Sequence, residues 1–292
     1  MKGVILSGGL GTRLYPVTIP VNKQLLPIYD KPMVYYPLSV LMLGGIVEIL
    51  LISSAEYLPL YQKVLQDGQQ WGIRIEYAVQ SEPKGIAQAL TIAENFIAGD
   101  AVCLILGDNF FYGHGLVSIL TECTKLQQGA KIFAYRVAEP QHYGVVEFDG
   151  NQRVISIEEK PRHPKSNYAI PGIYFFDNFA VEIAKKIAPS DRGELEITDV
   201  LKYYLLHQNL SVEVLGRGFA WLDTGTHDTL LQAANFVQAM EVRQGLKIAC
   251  IEEIAYRNGY ITAEQLKNLA QRLGKSNYGK YLEDILHESH PY

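Results

Sequence analysis

The sequence predicts an α/β protein built on a doubly wound, mixed sheet, with antiparallel strands added to it and a helical appendage at the C-terminal end. Three observations predict it. Through residue 106, short runs dominated by Val, Ile and Leu alternate with longer amphipathic segments; after residue 126, strand-like runs follow one another with no helix between them; and beyond residue 243 no strand-like run recurs. Strands that are apolar throughout and separated by helices belong to a mostly parallel sheet covered on both faces.

In order, the strand-like runs of the first part are residues 3–6, 49–53, 73–79 and 101–106, with helices predicted over 34–43, 58–66 and 86–96. Further strands are predicted at 132–137, 144–148, 154–158 and 169–176, and Phe148-Asp149-Gly150-Asn151 supplies a hairpin turn. Helical patterns return at 179–187 and 197–207, followed by a strand at 211–215. A long helix is predicted over 226–243, with Thr226 as its N-cap and Asp228 favourable in its first turn. The remainder reads as two or three short helices, where Thr262-Ala263-Glu264-Gln265 offers a capping box. The expected organisation is a core over 1–243 and an appendage over 244–292.

A chain of 292 residues buries roughly 75% of the surface its unfolded form exposes, so its core needs neither disulfides nor a structural metal. With 48% hydrophobic and 20% charged residues it is not a disordered chain. The formal charge of −5 lacks the basic excess of a protein whose main partner is a nucleic acid, so positive charge for a phosphate-rich ligand must be local. Cys103, Cys123 and Cys250 are too few and too scattered for a disulfide framework or a C-x-x-C zinc site. No signal-peptide h-region follows Met1, and the longest apolar stretch, 33–43, is shorter than a membrane span, so a cytoplasmic location is expected.

The first predicted strand runs into Ser7-Gly8-Gly9-Leu10-Gly11-Thr12-Arg13. Gly8, Gly9 and Gly11 let successive backbone N–H groups converge on an anion without Cβ obstruction, and Arg13 adds a fork of donors. The carboxyl end of a strand is where such sheets bind ligands. The loop is not a P-loop, because no Lys-Ser/Thr pair follows it, and Leu14 stands where a dinucleotide fingerprint has its third glycine. Asp30, the nearest acidic residue at the ribose spacing, sits in a Pro-flanked loop. Taken alone, the loop also fits a tight strand-to-helix turn that binds nothing.

Further along, Asn22-Lys23-Gln24 offers a second cation in Lys23 and, in Gln24, an amide for a base edge. The strand ending at 106 leads into Gly107-Asp108-Asn109, and Trp221-Leu222-Asp223-Thr224-Gly225-Thr226 follows another apolar run. Carboxylates at such strand ends suit a hard cation bridging phosphate oxygens, and Mg²⁺ takes only one or two of them from protein. Each aspartate by itself serves equally as an Asx-turn or helix cap. In Glu158-Glu159-Lys160-Pro161, Lys160 is a cation for a sugar phosphate and Glu159 an acceptor for sugar hydroxyls. The histidines form no metal-ligand pair on a predicted helix, and Ser7 is not in a G-x-S-x-G elbow, which disfavours zinc and α/β-hydrolases.

In this order the segments resemble the bacterial glucose-1-phosphate thymidylyltransferases along essentially the whole chain. The phrases that carry the likeness include Gly8 to Leu14, Lys23-Gln24-Leu25-Leu26-Pro27, Leu106-Gly107-Asp108-Asn109, Tyr143-Gly144-Val145-Val146, Arg192-Gly193-Glu194-Leu195-Glu196-Ile197-Thr198 and Trp221-Leu222-Asp223-Thr224-Gly225. The resemblance implies a Rossmann-like nucleotidyltransferase fold and the reaction of dTTP with α-D-glucose 1-phosphate to give dTDP-glucose and pyrophosphate, with Mg²⁺. It implies that Gly8, Gly11, Thr12, Arg13 and Lys23 contact the triphosphate, and that Gln24, Gln80 and Gly85 recognise deoxyribose and thymine. Asp108 and Asp223 match metal-binding aspartates, Asp108 also facing the nucleotide. Asn109, Gly144, Glu159, Lys160 and Ile170 match positions around the sugar phosphate, and Arg13, Lys23 and Lys160 are the expected catalytic cations.

The resemblance also implies a homotetramer and feedback by dTDP-L-rhamnose, with 247–255 in the regulatory segment. There are departures: Ser7 stands where Ala is usual, Leu10 where Ser is frequent, Asn22 where Ser is common, and Ile170-Pro171 where Val-Thr is frequent. Pro171 also removes a backbone N–H. Two other readings are a non-catalytic nucleotide sensor on the same fold, and a transferase for another nucleotide or sugar.

Overall fold

The computed structural model describes residues 1–9, 11–151 and 153–288. The chain begins β1 (Lys2–Leu6), β2 (Pro27–Ile28), β3 (Lys31–Pro32), α1 (Tyr35–Leu43), β4 (Glu48–Ser53), α2 (Leu58–Leu65), β5 (Arg74–Val79), α3 (Gln88–Ile92), α4 (Glu94–Ile97) and β6 (Val102–Leu106). There follow β7 (Asn109–Gly113), α5 (Leu116–Cys123), β8 (Ala130–Arg136), β9 (Gly144–Phe148), β10 (Val154–Glu159), β11 (Tyr168–Ala169), β12 (Ile173–Phe176), α6 (Ala180–Ala184), α7 (Ile197–Leu206), β13 (Leu210–Leu215) and β14 (Phe219–Asp223). Helices α8 (His227–Gln244), α9 (Ile251–Arg257), α10 (Ala263–Arg272) and α11 (Asn277–Ile285) complete it.

Strands β5, β4, β1 and β6 lie side by side and parallel, as their uniformly apolar runs require. β12 is inserted antiparallel between β6 and β8, β13 runs parallel beside β8, and the β9–β10 hairpin joins through β11. Alternation along β1 feeds two layers. Val4 enters one apolar cluster with Leu50, Leu104, Leu90 and Val200, while Ile5 enters the opposite one with Ile49, Ile105 and Leu38.

Two predicted elements break where the backbone chemistry demands it. The strand expected over 169–176 is interrupted at Ile170-Pro171-Gly172, because Pro171 has no N–H for the ladder and Gly172 turns its own N–H to Asn109 Oδ1 at 2.9 Å. The helix expected over 86–96 is two short helices that divide at Ala93, whose ψ of 0° has left the helical range. The helix expected over 179–187 is confined to Ala180–Ala184. Thr226 caps α8 as its sequence suggests, with Thr229 completing the box, and Thr262 and Gln265 do the same for α10.

The C-terminal helices share the core of the sheet. Cys250, Ile251, Ala255, Leu266, Leu282 and Ile285 enter the same cluster as Val34, Leu38 and Ile49. Polar contacts reinforce this: the Lys31 ammonium, buried between Asp30 and Glu241, reaches Glu241 Oε1 at 3.1 Å, and Lys247 bridges the same two acids. Among the described residues no helix is long and apolar enough to cross a membrane.

Candidate active site

The carboxyl ends of β1 and β6 are neighbours because these strands pair in register, Leu6 opposite Leu106. Each is followed by a segment that must turn away from the sheet. After β1, Gly8 leaves room for Gln80: a Cβ at position 8 would stand 1.8 Å from Gln80 Oε1. Gln80 itself is buried and donates through Nε2 to Gln88 Oε1 at 2.8 Å. Leu10 lies outside the described residues. Gly11, at φ +64°, caps a single 3₁₀ turn over Thr12–Leu14, which leaves Thr12 and Arg13 exposed and Leu14 buried.

A second 3₁₀ turn, Lys23–Leu25, is capped by Asn22, whose side chain accepts from Gln24 N. It carries Lys23 inward, where Nζ lies 2.5 Å from Asp108 Oδ2. Burial works against ionisation of Asp108, but the Lys23 charge and hydrogen bond, with one from Asn109, outweigh it and hold the carboxyl below its usual range. Gln24 is buried beside them with its Oε1 lacking a partner.

The two aspartates, 115 positions apart in sequence, are brought together by strand pairing. β7 and β14 form an antiparallel ladder that sets Asp223 opposite Asn109, and Thr224 then bonds the Asp108 carbonyl through N at 3.3 Å and Oγ1 at 3.0 Å. Tyr143 donates its hydroxyl to Asp223 Oδ1 at 3.2 Å, and Trp221 donates Nε1 to Asn109 Oδ1 at 2.6 Å. Arg13 Nη2 and Asp223 Oδ2 both flank Gly225, each 3.2 Å from where its Cβ would be.

The β9–β10 hairpin supplies the opposite wall. Glu159 pairs in register with Gly144, and Ile170 N donates to the Gly144 carbonyl at 2.8 Å. Lys160 takes φ +41°, an uncommon backbone for a side chain of this size, which turns it out of the ladder beside Glu159. Glu159 Oε1 lies 3.8 Å from Lys160 Nζ and 3.3 Å from Arg192 Nη2. Burial raises its pKa; the Lys160 and Arg192 charges pull it down but do not cancel that effect, to which Glu196 adds. Between the walls is a cavity of about 430 Å³ lined by Arg13, Asp108, Asn109, Gly144, Glu159, Lys160, Ile170 and Asp223.

Such a cavity sets Arg13 near Asp223 and Lys160 beside Glu159, and has room for a small polar ligand. Residues 2–240 match the family described as nucleotidyl transferase. The chain is 56% identical over 286 residues to the glucose-1-phosphate thymidylyltransferase of Neisseria meningitidis, covering 98% of this chain and 99% of that one. With the Mycobacterium tuberculosis enzyme of the same name it shares 54% over the same length, again 98% and 99%. The chain belongs to the nucleotidyl transferase family, in its glucose-1-phosphate thymidylyltransferase branch. A Bacillus anthracis structure assigned to that branch, in complex with sucrose, superposes with a TM-score of 0.75 at 40% identity, covering 81% of this chain and 94% of that one. A UDP-glucose pyrophosphorylase at 24% identity and TM-score 0.73 shares the fold.

Within this transferase, eight of the sequence-derived residues line the one cavity, and Lys23 reaches it through Asp108. Gly8, Gly11, Thr12, Gln24 and Gln80 lie along the adjoining strand ends. Gly85 adjoins Ile86 of the cavity wall. A Cβ there would be 2.4 Å from the Leu195 carbonyl oxygen, so its glycine character answers to backbone packing against the 192–198 segment. The lining also includes Tyr143, Tyr174, Thr198 and Trp221, which sequence reasoning did not single out. For Trp221 a signal existed: two residues before Asp223 on a strand, it shares that residue's face. Thr198, buried with Oγ1 unpartnered, closes the Arg192-to-Thr198 phrase that carries the family likeness, but no role was read for it.

Proposed function

We propose that the chain transfers the thymidylyl group of dTTP to α-D-glucose 1-phosphate, releasing pyrophosphate and forming dTDP-glucose. The observation that supports it most is that Arg13, Lys160, Asp108 and Asp223 line one cavity in a chain 56% identical to a glucose-1-phosphate thymidylyltransferase. An oxygen of the sugar phosphate attacks the α-phosphorus in line, the bond to the bridging oxygen breaks, and the electron pair leaves with pyrophosphate. No covalent enzyme intermediate is needed.

Bringing two polyanions together is the main obstacle, and each side chain acts on it. Arg13 at the glycine turn stabilises charge developing on the leaving pyrophosphate, and Lys160 aligns the attacking phosphate. One unit charge pair at 4 Å is worth about 4 kcal/mol at an effective dielectric of 20, so these cations offset the repulsion locally despite the net charge. Glu159 accepts from sugar hydroxyls, and Gln24 and Gln80 meet the nucleoside.

Asp108 and Asp223 would hold Mg²⁺. The donor set fits: Asp108, just before β7, and Asp223, at the end of β14, both line the cavity, and among the described residues no larger His, Cys or acidic cluster forms. That is the small protein complement Mg²⁺ accepts when phosphates and water complete its shell. Bound there, the ion neutralises phosphate oxygens. The same reading includes a cytoplasmic homotetramer inhibited by dTDP-L-rhamnose; free, buried Cys103, Cys123 and Cys250 fit a reducing compartment.

Pyrophosphate release from a panel of nucleoside triphosphates and sugar 1-phosphates tests the substrate assignment. Fastest turnover is expected with dTTP and glucose 1-phosphate, and a higher kcat/KM for another pair would overturn it. Asp108→Asn is expected to lose most turnover while folding normally; near-parental release would remove the metal assignment.

A further inference from the structure

We infer that Tyr61, a core residue outside the cavity lining, is a positioning residue for the nucleotide side of the site, acting through the carboxamide of Asn22. The inference rests on the proposed placement of Lys23 and Gln24 at the nucleotide.

Tyr61 lies on α2 and is wholly buried. Its hydroxyl donates to Asn22 Oδ1 at 2.7 Å. The same oxygen accepts from Gln24 N at 3.2 Å, and Asn22 Nδ2 donates to the Ser7 carbonyl oxygen at 3.4 Å. Ser53 Oγ donates to that carbonyl as well, at 3.0 Å. One carboxamide thus spans the two segments that carry the nucleotide residues: the end of β1 leading to Gly8, and the turn presenting Lys23 and Gln24. Ser7 and Asn22 meet in this bracket.

The distances rank the contacts. The bonds from Asn22 to Gln24 N and to Ser7 O are long, the second near the limit of a hydrogen bond, whereas the Tyr61 bond is at the optimum for a hydroxyl donor. Burial pushes the Tyr61 hydroxyl well above its ordinary pKa, so it stays a donor at every working pH. Tyr61 is therefore the firmest anchor of the amide, and the amide is the cap of the turn. Loosening it lets Lys23 swing from Asp108 and Gln24 from its buried seat. Gly144 on β9, Glu159 on β10 and Lys160 just beyond it take no support from this bracket.

Tyr61→Phe keeps the ring and removes only the donor. It is expected to raise the KM for dTTP about tenfold, the effect of one buried hydrogen bond, with the KM for glucose 1-phosphate unchanged. Asn22→Ser caps Gln24 N with its own hydroxyl and needs no donor at position 61. The double variant Tyr61→Phe/Asn22→Ser is accordingly expected to return the dTTP KM to within about twofold of the parent, which simple loss of packing would not do. Two results overturn the inference: a lower melting temperature with both KM values unchanged in Tyr61→Phe, or additive losses in the double variant. Lys23→Met separates this from the site assignment. If it abolishes turnover while Tyr61→Phe is silent, only the positioning role fails; if it is silent itself, the nucleotide site is misplaced.

Discussion

Lys23 Nζ and Asp108 Oδ2 stand 2.5 Å apart, so the cation proposed for the triphosphate and the carboxylate proposed for the metal neutralise each other in the free protein. The pair keeps Asp108 ionised in a site where burial alone would favour its acid. Removing one partner of such a charge pair costs about 2–5 kcal/mol. Lys23→Met is thus expected to lower kcat/KM for dTTP by roughly 30-fold to several thousandfold. Steady-state kinetics with each substrate varied in turn checks this. A loss confined to glucose 1-phosphate would show that Lys23 serves the other substrate.

Gly8→Ala tests the glycine loop. The new Cβ would stand 1.8 Å from Gln80 Oε1, the far end of a flexible side chain, so Gln80 must swing aside while the backbone stays. The expected outcome is a dTTP KM raised about tenfold or more, an unchanged KM for glucose 1-phosphate, and a melting temperature close to the parent's. A large loss of stability instead would mean that Gln80 cannot leave the Gln88 bond.

How much of this was legible in the sequence depends on how local each feature is. The parallel strands, the glycine turn and the caps at Thr226 and Thr262 are written in neighbouring residues, and so were readable. β7 was not, because it has no parallel neighbour and pairs only with β14, far along the chain. That same distant pairing unites Asp108 with Asp223, so the sequence offered two candidate ligands without their meeting. Arg192 illustrates the limit further: its Nη2 donates to both Glu196 carboxylate oxygens, at 2.8 and 2.9 Å, and reaches Glu159, which depends on the bend before α7. Gly85 was assigned to the ligand, and the passing Leu195 backbone is a second reason for glycine there that the sequence could not show.

Glu159 carries a pH prediction. Its folded pKa is raised, first by burial, so the folded protein holds this proton more tightly than the unfolded chain does. Its contribution to stability is fully present below the ordinary value of 4.5 and is lost as pH rises through the raised folded value. At pH 7 the charged carboxylate therefore costs stability, and Glu159→Gln is expected to melt at or above the parental temperature. That advantage should fade as the pH is taken down to 4. The same change should raise the KM for glucose 1-phosphate by roughly 10- to 100-fold, the worth of a hydrogen bond to a charged acceptor. A variant less stable than the parent at pH 7 would show that Arg192 and Lys160 outweigh the burial.

The last prediction concerns the joint between the C-terminal helices and the sheet. The Lys31 side chain is 1% exposed, faces Glu241 at 3.1 Å, and lies over the rings of Tyr36 and Tyr278 at 5.4 and 5.8 Å from their centroids. Lys31→Met leaves Asp30 and Glu241 to share Lys247 alone. Breaking a buried ion pair costs about 3–5 kcal/mol, and the surviving Lys247 puts the expected loss near the lower end. Urea unfolding measures it, and protease nicking within α11 should rise because the ring of Tyr278 loses one of the two cations it covers. Much of that loss is the penalty of an uncompensated carboxylate, so Lys31→Met/Glu241→Gln should be more stable than Lys31→Met itself. If the double variant is the weaker of the two, Glu241 owes its place to the bond it accepts from Ile248 N at 2.9 Å and not to its charge.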